Sequence, residues 1–205
     1  MTLLDKKSQL EQLLWSAITE VIIRLESQDE RVYALVFYPS SGYRNIGIAY
    51  ATRAYLERCP GGTGPELDPD LVGMLADHPD LLQQASSHRR SEFYYEVNAC
   101  EWDCVDAFSD LFSDVNDAIE TLFEALYEND DDVQHAEEFY ESLLTNVLLR
   151  VRSSGLLKDS PDTFAEDMLL GVQFPDSTNG EAVKRISKAV NSVEWHEKLS
   201  EAYGI

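Results

Sequence analysis

Two runs of this chain, Val32–Tyr38 and Ile46–Tyr50, carry no charged side chain and are dominated by aliphatic and aromatic residues. Pro39-Ser40-Ser41-Gly42 lies between them and reads as a turn, so the pair is predicted to be an antiparallel hairpin. A strand with one wet face alternates apolar and polar residues, and these runs do not. The hairpin therefore requires burial on both faces or a helix packed on one of them. The surrounding sequence supplies helices. Leu10, Leu13, Leu14, Ile18, Val21, Ile22 and Leu25 recur at helical spacing over 8–27. Residues 103–128 and 133–152 read as the two longest helices, an antiparallel pair joined by Asn129-Asp130-Asp131-Asp132.

Shorter elements fill the rest. Thr52 is placed to cap a helix running to Cys59, the Gly/Pro-rich stretch 60–65 reads as a loop, and short helices are predicted near 69–77 and 79–87. Phe93–Val97 reads as a strand or an extended approach. Gly155 fits the end of the 133–152 helix. Met168–Phe174 reads as a further strand, and two short helices close the chain near 180–190 and 193–202. The expectation is one α+β domain over 1–205: a small, mainly antiparallel sheet (hairpin near 32–51 plus the strand near 168–174) covered by several helices.

Charge narrows the function. Among 205 residues, 38 acids stand against 16 bases, a net charge of −22. Such a chain lacks the basic face that phosphate demands, which argues against nucleic acid and against an anionic membrane surface. No run of eighteen apolar residues exists, and the start lacks a signal-peptide core. Three cysteines, Cys59, Cys100 and Cys104, fit a reducing cytoplasm.

The acidity is regional. Residues 91–149 hold seventeen acids and no Lys or Arg; the other 146 residues hold 21 acids and all 16 bases. On the predicted 103–128 helix, Val105, Phe108, Phe112, Val115, Ile119, Leu122 and Leu126 fall on one arc. Asp103, Asp106, Asp110, Asp114, Asp117, Glu124 and Glu128 fall on the opposite one. That arrangement is a carboxylate ladder roughly 37 Å long at 1.5 Å per residue, with Asp130 and Asp131 at its end. Solvated helix faces usually mix signs, because oppositely charged i,i+4 pairs help the helix. A single-sign face, ending in Glu124 and Glu128 at the negative pole of the helix, suggests a basic partner or selection for solubility.

Signals of chemistry are weak. The four histidines form no metal spacing, and His135 with Glu138 is an isolated pair. Cys100 and Cys104 lack a second ligand pair and read as buried free thiols. Asp130-Asp131-Asp132 lacks the pattern of a calcium loop, and Gly61-Gly62-Thr63-Gly64 lacks the Lys-Ser/Thr of a phosphate loop. No nucleophile motif is present. The expectation is a non-enzyme with no catalytic residue, metal site or cofactor. Trp15, Trp102 and Trp195 read as core or rim anchors, and Tyr94 and Tyr95 as packing or partner contacts.

The hairpin Val32–Arg53, the Glu101-Trp102 pair ahead of an amphipathic helix, and Ile186–Asn191 together resemble a bacterial domain family of uncharacterised function. That family is about 200 residues long and is similar to the small acidic immunity proteins of polymorphic toxin systems. The resemblance implies no catalytic residues. With the charge pattern, it leads to the expectation of a cytoplasmic immunity protein or inhibitor that neutralises a basic partner, such as a nuclease toxin, through the carboxylate ladder. Two alternatives stand beside it. One is a small-ligand domain or enzyme with its site near the 38–53 hairpin, using Tyr43, Arg44, Thr52 or Arg53. The other is a DNA mimic, whose i,i+4 carboxylates lie about 6 Å apart.

Overall fold

The computed structural model describes residues 3–59, 66–88, 91–126, 133–175 and 179–203. The 60–65 loop and the 129–132 link lie outside them. Within the described residues the chain is α+β. A three-stranded sheet of order β2-β1-β3 is formed by β1 (Val32–Pro39), β2 (Ile46–Thr52) and β3 (Phe164–Val172). Apart from the half-buried Tyr38, every residue of β1 and β2 is buried, as their uniform apolarity requires.

The hairpin pairs antiparallel, with Leu35 opposite Tyr50 and Phe37 opposite Ile48. β3 instead runs parallel to β1, with Leu35 beside Leu170 and Phe37 beside Val172. The sheet is therefore mixed and not mainly antiparallel, because most of the chain intervenes between β1 and β3 and allows a crossover.

Helices cover the sheet. α1 (Leu3–Glu26) is the longest among the described residues at 24 residues, and buries Leu10, Leu14, Ile18, Val21, Ile22 and Leu25. α2 (Arg53–Arg58) starts at Thr52, whose hydroxyl accepts the Tyr55 N–H at 3.2 Å. α3 (Pro69–Met74) and α4 (Pro79–His88) follow. α5 (Tyr94–Val97) is a single helical turn where a strand or extended segment was expected. α6 is Ser113–Leu126 and α7 is Val133–Ser154, with Gly155 at φ +87° beyond its end. Both pack against α1. α8 (Gly180–Val190) packs on α7 and β3, and α9 (Val193–Ala202) packs on α8.

The expected 103–128 helix is largely overturned at its start. Residues 103–112 are irregular, ending in a 3-10 turn at Ser109–Phe112, and α6 has only 14 residues. The cause is the free edge of β2. Tyr50 donates its backbone N–H to the Cys104 carbonyl (3.1 Å), and the Ala107 N–H donates to the Ile48 carbonyl (3.0 Å). Satisfying those strand groups outweighs starting the helix about three turns earlier. The opposite edge is closed by a side chain. The Asn191 amide accepts from the Leu170 N–H (2.9 Å) and donates to the Leu170 carbonyl (2.7 Å), standing in for a fourth strand.

Candidate functional site

The ladder's carboxylates divide by element. Asp103, Asp106 and Asp110 lie on the edge-covering segment, and Asp114 and Asp117 lie on α6. All five are exposed. Glu124 falls on α6 with its side chain outside the description, and Glu128, Asp130 and Asp131 lie outside the described residues. The apolar arc is retained from Phe112 onward: Phe112, Val115, Ile119, Leu122 and Leu126 are buried, while Val105 and Phe108 are half-buried against the core.

The cations missing from 91–149 arrive from other elements. Arg58 of α2 pairs with Asp103, and Arg24 of α1 pairs with Asp110 at 2.9 Å. Arg185 of α8 holds Glu141 at 2.7 Å, and Lys198 of α9 holds Glu96 at 3.3 Å. Beside its carboxylate, Arg24 keeps its proton more firmly than a free guanidinium. Asp103 and Asp110 thus each share their charge with an arginine of the chain while staying more than half exposed. No ion pair reaches Asp106, Asp114, Asp117 or Glu120 among the described residues.

Three clefts open along this same segment, and each contains one or more of those free carboxylates. The first, about 410 Å³, lies between α1 and α6 and is lined by Trp15, Glu20, Leu111 and Asp114. The second, about 270 Å³, lies where Asp106, Ser109 and Asn116 face Tyr38, Ser40 and Asn45 at the end of the hairpin. The third, about 370 Å³, is formed by Arg44, Asn116, Asp117, Glu120 and Phe123, with the Arg44 guanidinium 4.5 Å from the Phe123 ring centre.

Backbone strain marks the middle of the segment. Asp106 and Phe108 both adopt left-handed φ, +54° and +57°, which is uncommon for Asp and an outlier for Phe. Phe108 is held there by its ring stacked on Tyr50, with centroids 5.9 Å apart, and by the Arg24 guanidinium 6.0 Å from its ring centre. Asp106 is brought so close to β2 that a Cβ built on Gly47 would sit 2.4 Å from its Oδ1. Only glycine allows that approach.

Other expected residues have structural duties. Thr52 caps α2, and Tyr43 is buried against Tyr140, ring centres 4.9 Å apart. Arg53 lies over Tyr33 at 5.3 Å. These residues do not form one site near the hairpin. Tyr94 is buried and donates to Glu101 at 2.6 Å, so it is core, and Trp102 and Trp195 flank buried Tyr33. Trp15 is at the rim, beneath Arg150. Cys100 is exposed and Cys59 and Cys104 are half-buried, contrary to buried thiols. Among the described residues, no three His, Cys, Asp or Glu side chains are grouped to hold a metal ion, and no helix is long and apolar enough to cross a membrane.

One cavity was not legible in the sequence. It measures about 520 Å³, is lined by Arg31, Arg152, Lys158 and Glu166 with Leu157 and Phe164, and gathers three of the chain's few cations. The three come from distant positions, so spacing gave no sign of it. Arg152 is partly buried there, which makes its proton easier to lose than usual. Its Nη2 donates to the Met168 carbonyl and to Asn191.

Comparison with protein-family models, curated proteins and solved structures finds no match for this chain.

Proposed function

We propose that the chain is a non-catalytic acidic binding protein, an immunity protein or comparable inhibitor, that engages a basic protein partner through the face built from residues 106–120. The observation that carries this reading is the set of three adjacent clefts, each holding a carboxylate with no ion pair among the described residues, although Arg44 lines the third beside Asp117 and Glu120. The first two clefts hold no cation, and clefts of one sign focus field lines and raise association rates with a partner of opposite charge. A nuclease toxin fits that description because it must itself be basic to hold phosphate. The charge sets the sign of the partner; the sequence resemblance supplies its class. Asp106, Asp114, Asp117 and Glu120 are the contact residues, with Asp103 and Asp110 shared with Arg58 and Arg24.

The test is capture of the cognate partner from the native host at low and high salt, followed by association kinetics. Asp106→Lys, Asp114→Lys, Asp117→Lys and Glu120→Lys, combined in one variant, should slow association by an order of magnitude or more and flatten its salt dependence. A partner bound at the same rate by both proteins would remove this face from the interface.

A second reading, a small-ligand domain, gains one observation: the cation-lined cavity around Arg31, Arg152 and Lys158, which suits an organic anion. Its place is the end of α7 and the start of β3, away from the 38–53 hairpin. A melting-temperature screen with organic carboxylates and phosphates tests it, and a flat response counts against it. DNA mimicry loses its regular row over 103–112, where no α-helix spaces the carboxylates.

A further inference from the structure

The cleft at Asp106 differs from its two neighbours in being built from strained and constrained parts. The Asp106 carboxylate is set over Gly47 by a left-handed backbone, and any larger residue at 47 would displace it. The flanking ladder members Asp103 and Asp110 each have an arginine, but Asp106 has no hydrogen bond or ion pair among the described residues. The lining holds no cation. Its polar groups are Asp106, Ser40, Asn45, Ser109 and Asn116, and its walls include Tyr38 and Phe112. Two of those polar groups are already fixed: Asn116 Oδ1 accepts the Ile46 N–H at 2.8 Å, and Ser40 Oγ accepts the Asn45 N–H at 3.1 Å. The Asp106 carboxylate and the side chains of Asn45 and Ser109 are what remain for an occupant.

Size and charge choose the occupant. At about 270 Å³ the cleft is smaller than the roughly 300–1,000 Å³ of pockets that enclose drug-sized ligands, so it suits a single side chain. A single unpaired carboxylate calls for a cation. Acceptors dispersed beside the half-buried Tyr38 ring suit a flat guanidinium with five in-plane donors better than a compact ammonium. We infer that the cleft between the hairpin end and the Asp106 segment is a receptor for a guanidinium group, which the basic partner supplies as an arginine side chain. This rests on the reading of 106–120 as the partner-facing surface.

The test uses the full chain, labelled for amide NMR and held at physiological ionic strength so that general attraction to its negative charge is screened. The probe is N-acetyl-arginine amide, with N-acetyl-citrulline amide as its uncharged isostere. The expected result is a saturating set of shifts confined to Ile46, Gly47, Asp106 and Asn116, absent with the citrulline compound. Asp106→Asn, which keeps a residue that tolerates left-handed φ, should weaken the arginine probe by roughly threefold or more, the scale of one exposed charge pair. Equal responses to both probes, shifts spread over all the acidic residues, or an unchanged affinity in Asp106→Asn would overturn the proposal. If the pocket fails this test while Asp114→Lys, Asp117→Lys and Glu120→Lys still slow partner association, only the arginine receptor is lost. If the pocket passes while partner binding ignores those three reversals, the surface reading falls instead, and with it the partner as the source of the guanidinium.

Discussion

Gln173 is a polar side chain that the core cannot do without. It is 1% exposed, its Oε1 accepts the Ala99 N–H (2.7 Å) and the Tyr203 hydroxyl (3.3 Å), and its Nε2 donates to the Val97 carbonyl (2.6 Å). Gln173→Leu keeps the bulk but strands a buried N–H and a buried carbonyl. At about 1–3 kcal/mol for each of the two unmade bonds, a loss of about 2–6 kcal/mol is expected in urea denaturation. A loss under about 0.5 kcal/mol, the usual range for surface substitutions, would mean that water replaces the amide. Gly47 makes the opposite forecast. The atom that an added Cβ meets is the end of the exposed Asp106 side chain, so Gly47→Ala should change stability by less than about 1 kcal/mol while the arginine probe loses its site. Residues whose duty is local were readable from sequence: Thr52 precedes its helix and caps it, and Gly155 takes the left-handed turn after α7. Gln173 and Gly47 were not, since the partners of Gln173 lie 30, 74 and 76 positions away and Gly47 meets Asp106, on a segment far along the chain.

Elements were legible where periodicity and burial agree. α1, the hairpin, α8 and α9 follow the apolar pattern closely. The 103–112 segment has the same helical pattern, yet an open strand edge claims its backbone, and no one-dimensional period records that demand. The correction changes the electrostatics of the candidate site. With α6 beginning at Ser113, Asp114 sits in the first turn, where the positive helix pole favours it. That carboxylate therefore helps its own helix and cannot be read as charge tolerated only for a partner. Asp114→Asn should cost about 0.3–1 kcal/mol of stability, whereas Glu120→Gln, in the middle of the helix, should cost less; equal losses would contradict this placement. The parallel β3 was equally hidden, and its closure by Asn191 gives a sharper forecast. Asn191→Asp keeps the acceptor for the Leu170 N–H but turns an oxygen toward the Leu170 carbonyl. It should destabilise at least as much as Asn191→Ala, by about 1–3 kcal/mol, and a milder effect than alanine would show that the edge is closed another way.

Across the whole molecule, net charge and burial act in different directions along the pH axis. The fold disperses part of its acidity by drawing Arg24, Arg58, Arg185 and Lys198 onto the cation-poor segment. The total remains −22, and self-repulsion of that size weakens a compact state. Salt should therefore raise the melting temperature between ionic strengths of about 0.01 M and 0.1 M, as the screening length falls from roughly 30 Å to 10 Å. The exposed ion pairs that salt also weakens contribute too little to reverse the sign. Alkali works through the tyrosines. Burial pushes the Tyr33 and Tyr203 hydroxyls well above their ordinary value of 10.0, with Glu96 adding to the effect at Tyr33 and Cys100 at Tyr203. Since the folded value lies above the unfolded one, their contribution is complete below the unfolded value and lost as pH rises beyond it. Urea midpoints should hold steady up to about pH 9 and fall above about pH 10. Phenolate absorbance from these two tyrosines should appear only with unfolding. Tyr33→Phe would lose the hydroxyl's bond to the Glu96 carbonyl but should flatten the alkaline decline, and a decline of unchanged steepness in a Tyr33→Phe, Tyr203→Phe double variant would assign alkaline sensitivity to groups other than these two, among them Tyr50 and Tyr55, which burial also raises.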